Sequence, residues 1–88
     1  MVFTLLGTED CHLCDVAKSI VIEVASIHPI EVYLEDISES SQLIDRYGEK
    51  IPVFRHDESG QELDWPFDRA GLQQWLECIS DNSNQRKQ

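Results

Sequence analysis

The sequence predicts an α/β fold in which a four-stranded mixed sheet carries helices on both faces, in the order β-α-β-α-β-β-α. Short apolar runs rich in β-branched and aromatic residues alternate with longer segments whose apolar residues recur at helical spacing. A helix joins the first two strands, so these are expected to be parallel with a right-handed crossover. A tight turn joins the last two strands, which must therefore be antiparallel. The chain has 88 residues, enough for one domain with a modest core.

The first half of the chain alternates strand and helix. Val2–Gly7 is predicted to be a buried strand, and apolar residues at helical spacing predict a helix over Asp15–His28. The apolar stripe of this helix is wide, which predicts that it is covered on more than one side. Pro29 ends the helix, because proline disfavours the α conformation in the residue before it. Ile30–Glu35 then alternates apolar and polar residues as a strand does.

The middle of the chain begins with a polar connection, Asp36–Ser41, that is rich in residues suited to helix N-caps. A short helix with Tyr47 on its apolar face follows and ends at Gly48, since glycine is a favoured residue after a helix. Ile51–Arg55 is the predicted third strand, with a proline near its start, where a missing N–H is tolerated.

The remaining elements are a hairpin and a final helix. Asp57–Gly60 is predicted to turn the chain into a fourth strand, Gln61–Trp65. Asp68 is a plausible N-cap for the last helix, whose apolar residues end at Ile79. Residues 80–88 contain no apolar residue and are expected to form a flexible tail, so that the domain spans residues 1–79.

Charge and cysteine usage narrow the classes of function. Acidic residues number 17 against 7 basic ones, and the formal net charge is −10. Nucleic acids and anionic membranes both require a basic surface, so neither is an expected partner. The three cysteines are an odd set in which two lie close together, unlike the even sets of secreted disulfide scaffolds. No secretory signal or membrane span is recognisable, and a cytoplasmic, reducing location is expected.

Cys11-His12-Leu13-Cys14 stands between the first predicted strand and the first predicted helix. This position places the first cysteine at the helix N-terminus and the second one turn later on the same face. Free backbone N–H groups and the positive end of the helix dipole stabilise a thiolate there. The second sulfur lies close enough to attack a mixed disulfide formed on the first. The motif therefore predicts thiol–disulfide exchange.

With these features the chain resembles the glutaredoxin and thioredoxin family, specifically a small glutaredoxin-like branch, from about Val2 to Ile79. The likeness is carried by the C-H-L-C motif after the first strand, by Tyr47-Gly48 before Ile51-Pro52-Val53, and by the hairpin followed by a final helix. It implies a thioredoxin-like three-layer fold in which Cys11 is the nucleophile, Cys14 the resolving cysteine and Pro52 a cis-proline. It also implies that Ile51 pairs through its backbone with an extended substrate segment.

The same resemblance suggests which side chains meet the substrate, a disulfide-containing protein or a small thiol compound. Trp65 and Phe67 fall where the family's substrate groove is rimmed, although core packing is the alternative for both. The residues predicted to contact substrate are His12, Leu13, Ile51, Pro52, Trp65 and Asp68. No bound cofactor or metal is expected, and the chain is expected to be a monomer.

The chain also departs from the pattern of glutathione-using members. Glu9-Asp10 precedes the motif where many members have a basic residue, Asp15 follows it, and paired glycines are missing after the fourth predicted strand. Glutathione is negatively charged, so these carboxylates should repel it, while the helix N-terminus at Asp68 could still bind a carboxylate. Its use as the reductant stays open. The same carboxylates oppose the helix terminus in stabilising a thiolate, which predicts a reducing rather than an oxidising site.

Two other interpretations stay open at this stage. The chain could be a non-catalytic thioredoxin-like module that holds a basic partner on its acidic surface. A metal site would need ligands beyond the cysteine pair, and a metal shared between two chains through Cys11 is conceivable only by family likeness. Cys78 is predicted to be semi-buried and inert, His28 to cap a helix C-terminus, and His56 to lie on the hairpin surface.

Overall fold

The computed structural model describes the backbone of residues 1–86 and the side chains of residues 1–80. Its elements follow the predicted order, with boundaries that differ from the predicted ones by a few residues at most positions. The elements are β1 (Val2–Gly7), α1 (His12–Ala25), β2 (Glu31–Asp36), α2 (Ser41–Tyr47), β3 (Val53–His56), β4 (Glu62–Asp64) and α3 (Arg69–Arg86). One turn of 3-10 helix, Ile37–Glu39, lies in the connection that the sequence predicted to be polar and rich in N-cap residues.

The four strands form one sheet in the order β2-β1-β3-β4. β1 is parallel to β2 and antiparallel to β3, and β3 is antiparallel to β4, which confirms the predicted mixed sheet. The register places the last residues of β1 and β2, the first residue of β3 and the last residue of β4 at the same end of the sheet. The segment that contains both cysteines of the motif leaves the sheet at this end.

Helices cover both faces of the sheet, as predicted. On one face, α1 and α3 bury a cluster with apolar side chains of β1 and β3; its fully buried members include Phe3, Ala17, Val24, Phe54 and Leu72. On the other face, a smaller cluster joins α2 to the sheet through Leu6, Ile37, Tyr47 and Val53. Burial of this apolar surface is the main force that holds the three layers together.

One side only of α1 is covered, which makes the prediction of wider burial wrong. Its buried residues are Cys14, Ala17, Val21 and Val24. Leu13 is 47% and Val16 37% exposed, although both side chains belong to the apolar stripe of the sequence. The reason is the layer arrangement: α1 is an outer layer, so the side that faces away from the sheet meets solvent.

His56 is buried at 2% exposure, not at the hairpin surface as the sequence suggested. β3 extends to His56, and alternation along the strand turns its ring to the same face as Phe54. The ring centroids of His56 and Phe3 lie 5.0 Å apart, and Nδ1 of His56 lies 2.7 Å from Oγ of Ser59. The imidazole is therefore a packed core group with a local polar partner.

α3 continues to Arg86, well past Ile79, where the sequence predicted the helical part of the domain to end. The segment beyond Ile79 holds no glycine or proline up to Arg86, so nothing in it stops the helix. Flexibility of residues 80–88 stays a prediction, and residues 87–88 lie outside the described part of the chain. Within residues 1–86, no helix is long and apolar enough to span a bilayer.

Candidate functional site

Cys11 is the N-cap residue of α1. Its backbone is extended, with φ −107° and ψ 102°, and its side chain accepts a hydrogen bond from the backbone N–H of Cys14. The distance from Cys14 N to Cys11 Sγ is 3.2 Å, and the N–H of Asp15 donates to the Cys11 carbonyl at 3.2 Å. The sulfur thus takes the place that an oxygen of serine or aspartate has in most N-caps. As predicted, it lies where unpaired N–H groups and the helix dipole stabilise negative charge.

Cys11 and Cys14 are joined by a disulfide, and their Cα atoms are 5.2 Å apart. The two residues differ in their access to water. Cys14 is 7% exposed, whereas Cys11 is partly exposed at the N-terminus of α1. An incoming thiol or disulfide can therefore reach Cys11 more readily than Cys14.

Gly7 is a site residue that the sequence reasoning did not single out. A Cβ atom built on Gly7 would lie 3.1 Å from Sγ of Cys14 and 3.2 Å from its Cβ. Only glycine lets the end of β1 approach the buried cysteine this closely without a shift of its neighbours. The signal in the sequence was a glycine that ends a strand just before the motif.

The segment before β3 lies beside the end of β1, because Val53 pairs with Leu6. The Ile51–Pro52 peptide bond is cis, as the family resemblance implied, and so is Trp65–Pro66, which was not predicted. The N–H of Ile51 donates to the carbonyl of Tyr47 at 3.1 Å. Of the two backbone groups expected to pair with a substrate, the N–H is therefore already used within the protein.

The other predicted substrate contacts differ in exposure. His12 and Leu13 both project to solvent from the first turn of α1, and Leu13 is 47% exposed. Phe67 is buried, and the ring of Trp65 packs edge-on against it with centroids 5.1 Å apart. Core packing was the alternative considered for both aromatic residues, and it buries most of the surface of each side chain. Asp68 is the residue before α3, and its Oδ1 accepts the N–H of Gly71 at 2.7 Å.

A cavity of about 370 Å³ lies between the first turns of α1 and the ends of β1 and β2. Cys14 lines it together with several charged residues: Glu9, Asp15, Lys18, Glu35 and Asp36. The hydroxyl and the backbone N–H of Ser38 donate to the Asp36 carboxylate at 2.7 and 2.9 Å, and these bonds lower the pKa of Asp36 below its usual 3.8. Asp36 therefore stays ionised at neutral pH and adds to the negative charge of this region.

Cys78 is exposed, which corrects the prediction of a semi-buried residue. The buried residues of α3 near it are Leu76 and Ile79, and a helix turns position 78 away from the side that they share. Within the described residues, no group of three or more histidine, cysteine, aspartate or glutamate side chains is placed to hold a metal ion.

Comparison with known proteins identifies relatives of this arrangement. A family model described as glutaredoxin-like domain (DUF836) matches residues 2–77. The X-ray structure of the Northeast Structural Genomics target protein XcR50 from X. campestris aligns with a TM-score of 0.76 and 36% identity, over 86% of this chain and 96% of that one. The solution structure of the same target aligns with a TM-score of 0.74 and 36% identity, over 89% and 95%. A search of curated proteins gave no match.

Proposed function

The chain belongs to the glutaredoxin-like domain family (DUF836), and from this premise we propose that it is a thiol–disulfide oxidoreductase that works through Cys11 and Cys14. The fold is thioredoxin-like, with the cysteine pair at the start of the first helix. Fold membership alone does not establish an activity, so the proposal depends on the geometry of the pair itself.

The observation that carries the proposal is the asymmetry of the two cysteines. Cys11 caps α1, accepts a backbone N–H through its sulfur and is partly exposed; Cys14 is bonded to it and buried. A disulfide that served only to staple the fold would close a longer loop, since stabilisation grows with the length of the loop. The loop between these two cysteines holds only His12 and Leu13. The bond therefore serves reversible oxidation and reduction and not stabilisation of the fold.

The reaction follows from these positions. The Cys11 thiolate attacks one sulfur of a substrate disulfide, which forms a mixed disulfide and releases the first substrate thiolate. Cys14 loses its proton to solvent and attacks the Cys11 sulfur, which releases the second thiolate and leaves the Cys11–Cys14 bond. The substrate gains two electrons and two protons, and an external thiol reductant must then reduce the protein.

Several features remain parts of this proposal. Leu13, Pro52 and the carbonyl of Ile51 would contact the substrate beside Cys11, while His12 would adjust the local charge. Glutathione or a system that resembles thioredoxin reductase would supply the electrons. A reducing compartment such as the cytoplasm would suit this cycle, because there the dithiol form is regenerated.

The test is an equilibrium titration of the protein in dithiothreitol redox buffers, with the bridged and dithiol forms counted by mass spectrometry. We expect a reversible Cys11–Cys14 couple near cytosolic potentials, roughly −220 to −320 mV. Cys11→Ser should abolish reduction of a model disulfide, whereas Cys14→Ser should accumulate the mixed disulfide on Cys11. Cys78→Ser is the matched control and should behave as the unmodified chain, since Cys78 is exposed on another helix. If no reversible bridge forms and Cys11→Ser changes nothing, the activity is disproved and the protein-binding module takes its place.

A further inference from the structure

We infer that this site selects its substrates by charge, and that it reduces disulfides flanked by positive charge in preference to anionic ones. The inference rests on the proposed function, because it concerns the approach of substrate to Cys11. It is carried by where the fold places carboxylates around the cysteine pair, by a hydrogen bond at the start of α3, and by two exposed apolar side chains of α1.

The first carboxylates belong to the end of the sheet from which the cysteine segment departs. Leu6, near the end of β1, pairs with Glu35 on one side and with Val53 on the other, and Val53 pairs with Asp64. Neighbouring strands lie about 4.8 Å apart, so this row carries acidic residues within roughly 5 and 10 Å of the β1 backbone. Glu35 and Asp64 are both exposed. Tertiary structure thus adds negative charge from two other strands to that of the motif.

The second group flanks the motif itself. Glu9 and Asp10 immediately precede Cys11, Asp15 follows Cys14, and all three carboxylates are exposed. The backbone of Asp10 is left-handed, with φ 61°, a conformation that aspartate and asparagine adopt more readily than most residues. A substrate that approaches Cys11 therefore passes acidic side chains on both sides of the motif.

The start of α3, where the sequence left an anion site open, already carries a carboxylate of the protein on one of its N–H groups. A helix N-terminus attracts a substrate carboxylate only while its N–H groups are available. Here the Asp68 carboxylate accepts the N–H of Gly71 at 2.7 Å. A carboxylate of the protein already occupies this position, and its charge opposes that of an anionic ligand.

Positive groups in this region are fewer. Lys18 lies on α1, Lys50 lies in the segment before β3, and Arg69 begins α3, where it pairs with Glu23 at 2.7 Å; all three basic residues are exposed. Lys18 lines the cavity that also contains four carboxylates, those of Glu9, Asp15, Glu35 and Asp36. In this cavity, negative charges thus outnumber the positive charge of Lys18, and the electrostatic potential at the site stays negative.

The exposed apolar residues of α1 indicate which groups a substrate carries beside its positive charge. Leu13 is 47% and Val16 37% exposed, and their spacing places them on one side of the helix beside the motif. Lysine and arginine side chains lay their hydrocarbon stems on apolar surface while the charged ends reach polar groups. A disulfide flanked by basic residues, or a small disulfide with amine-bearing arms, matches this combination.

The experiment measures single-turnover reduction of three small disulfides by the reduced protein, freed of reductant beforehand. Cystamine is the cationic probe, bis(hydroxyethyl) disulfide the neutral one and dithiodipropionate the anionic one. Each rate is divided by the rate of the same probe with mercaptoethanol, which removes differences in intrinsic reactivity. Each turnover oxidises Cys11 and Cys14 to the bridge and reduces one probe disulfide to two thiols.

At low salt, we expect the normalised rate for the cationic probe to exceed that for the anionic probe by about tenfold or more, the scale of electrostatic steering. In 1 M salt, where the screening length is about 3 Å, this ratio should fall towards unity. Asp10→Asn, Asp15→Asn and Asp64→Asn should each lower the ratio by about two- to threefold, as expected for one charge several ångströms away. Glu58→Gln is the matched control, since Glu58 is exposed in the hairpin at the far end of the sheet, and should leave the ratio unchanged.

A pair of disulfide peptides, flanked by lysine or by glutamate, shows whether the substrate is a polypeptide. A larger preference within this pair than between the small probes points to a protein segment, and a smaller one to a small amine disulfide. Equal normalised rates for all three small probes, or a faster anionic probe, would overturn the charge selection while the oxidoreductase activity stands. Failure of the reduced protein to react with any probe would instead disprove the proposed function.

Discussion

Gly7 lies where the end of β1 approaches the buried member of the cysteine pair. A methyl group there would come within 3.1 Å of the Cys14 sulfur, closer than most Cβ contacts allow. The neighbouring Cys14 cannot retreat easily, because it is bonded to Cys11 and is 7% exposed. The residue at position 7 is therefore expected to control the stability of the disulfide form relative to the dithiol form.

Gly7→Ala should shift the redox equilibrium towards the dithiol, because in that form Cys14 is free to rotate away from the added methyl group. Overpacking of a tight site costs about 1–3 kcal/mol, so we expect a change of at least several-fold in the equilibrium constant against dithiothreitol. Gly60→Ala is a useful control: Gly60 has φ 79° with open space around it, so alanine strains the backbone far from the cysteines. An unchanged redox equilibrium in Gly7→Ala, or an equal shift in Gly60→Ala, would show that the close approach has no effect on the bridge.

At the scale of elements, α2 is tied to the far edge of the sheet by one buried side chain. Tyr47, the last residue of α2, is 1% exposed and donates its hydroxyl hydrogen bond to the Glu62 carboxylate in β4. Burial, followed by this bond to Glu62, raises the pKa of Tyr47 above its usual 10.0. The bond spans the segment that contains Pro52, so it holds together the elements on both sides of that segment.

Tyr47→Phe should lower the free energy of unfolding at pH 7 by about 1–2 kcal/mol, since it removes a hydrogen bond to a charged group. A raised pKa in the folded state favours the neutral phenol. The stability that this pKa shift contributes is therefore fully present below pH 10.0, and it is lost as the pH rises through the higher pKa of the folded state. Urea unfolding should give a constant difference between the two proteins from pH 7 to about 10, and a shrinking one above that.

The control for this variant is Tyr33→Phe. Tyr33 is 59% exposed, and its hydroxyl lies 3.4 Å from the Glu31 carboxylate. Exposed positions of this kind change stability by at most about 0.5 kcal/mol. A difference for Tyr47→Phe that is no larger than for Tyr33→Phe, or one that persists unchanged at high pH, would contradict the role given to the buried bond.

At the scale of the whole molecule, charge opposes the compact state. The formal net charge is −10, and the radius of gyration is 13.1 Å. At 0.01 M salt the screening length is about 30 Å, so every carboxylate interacts with the others across the domain. At 0.15 M it falls to about 8 Å, and the long-range part of this repulsion is removed.

Raising the NaCl concentration from 0.01 to 0.15 M should therefore raise the thermal midpoint of unfolding. A gain of 1 kcal/mol corresponds to about 4–8 °C in a domain of this size, and we expect a rise of a few degrees. Differential scanning calorimetry of the bridged form would measure it. A variant that neutralises exposed carboxylates away from the site, Glu58→Gln with Glu77→Gln, should show a smaller rise. A midpoint that is independent of salt would mean that self-repulsion is not a significant term.

Prediction from the sequence succeeded where the cause is local. The N-cap position of Cys11 follows from a strand, a short connection and a helical pattern that are contiguous in the chain. Prediction failed where burial decides the outcome. His56 is in the core because β3 extends by one residue beside Phe3, and Cys78 is exposed because α3 turns it away from Leu76. The burial of His56 cannot be read from its neighbours in the chain, whereas the exposure of Cys78 follows from helical spacing relative to Leu76 and Ile79.

The sequence by itself determined the order of elements, the place of the cysteine pair at a helix start and the excess of negative charge. Only the tertiary structure decided that Cys14 is buried while Cys11 meets water, that Gly7 abuts the buried sulfur, and that Glu35 and Asp64 lie at the same sheet end as the motif. The physical reason is the distance along the chain between the residues that interact. Caps and periodicity depend on residues within a turn or two of each other, whereas burial and strand register depend on contacts between residues far apart in the chain.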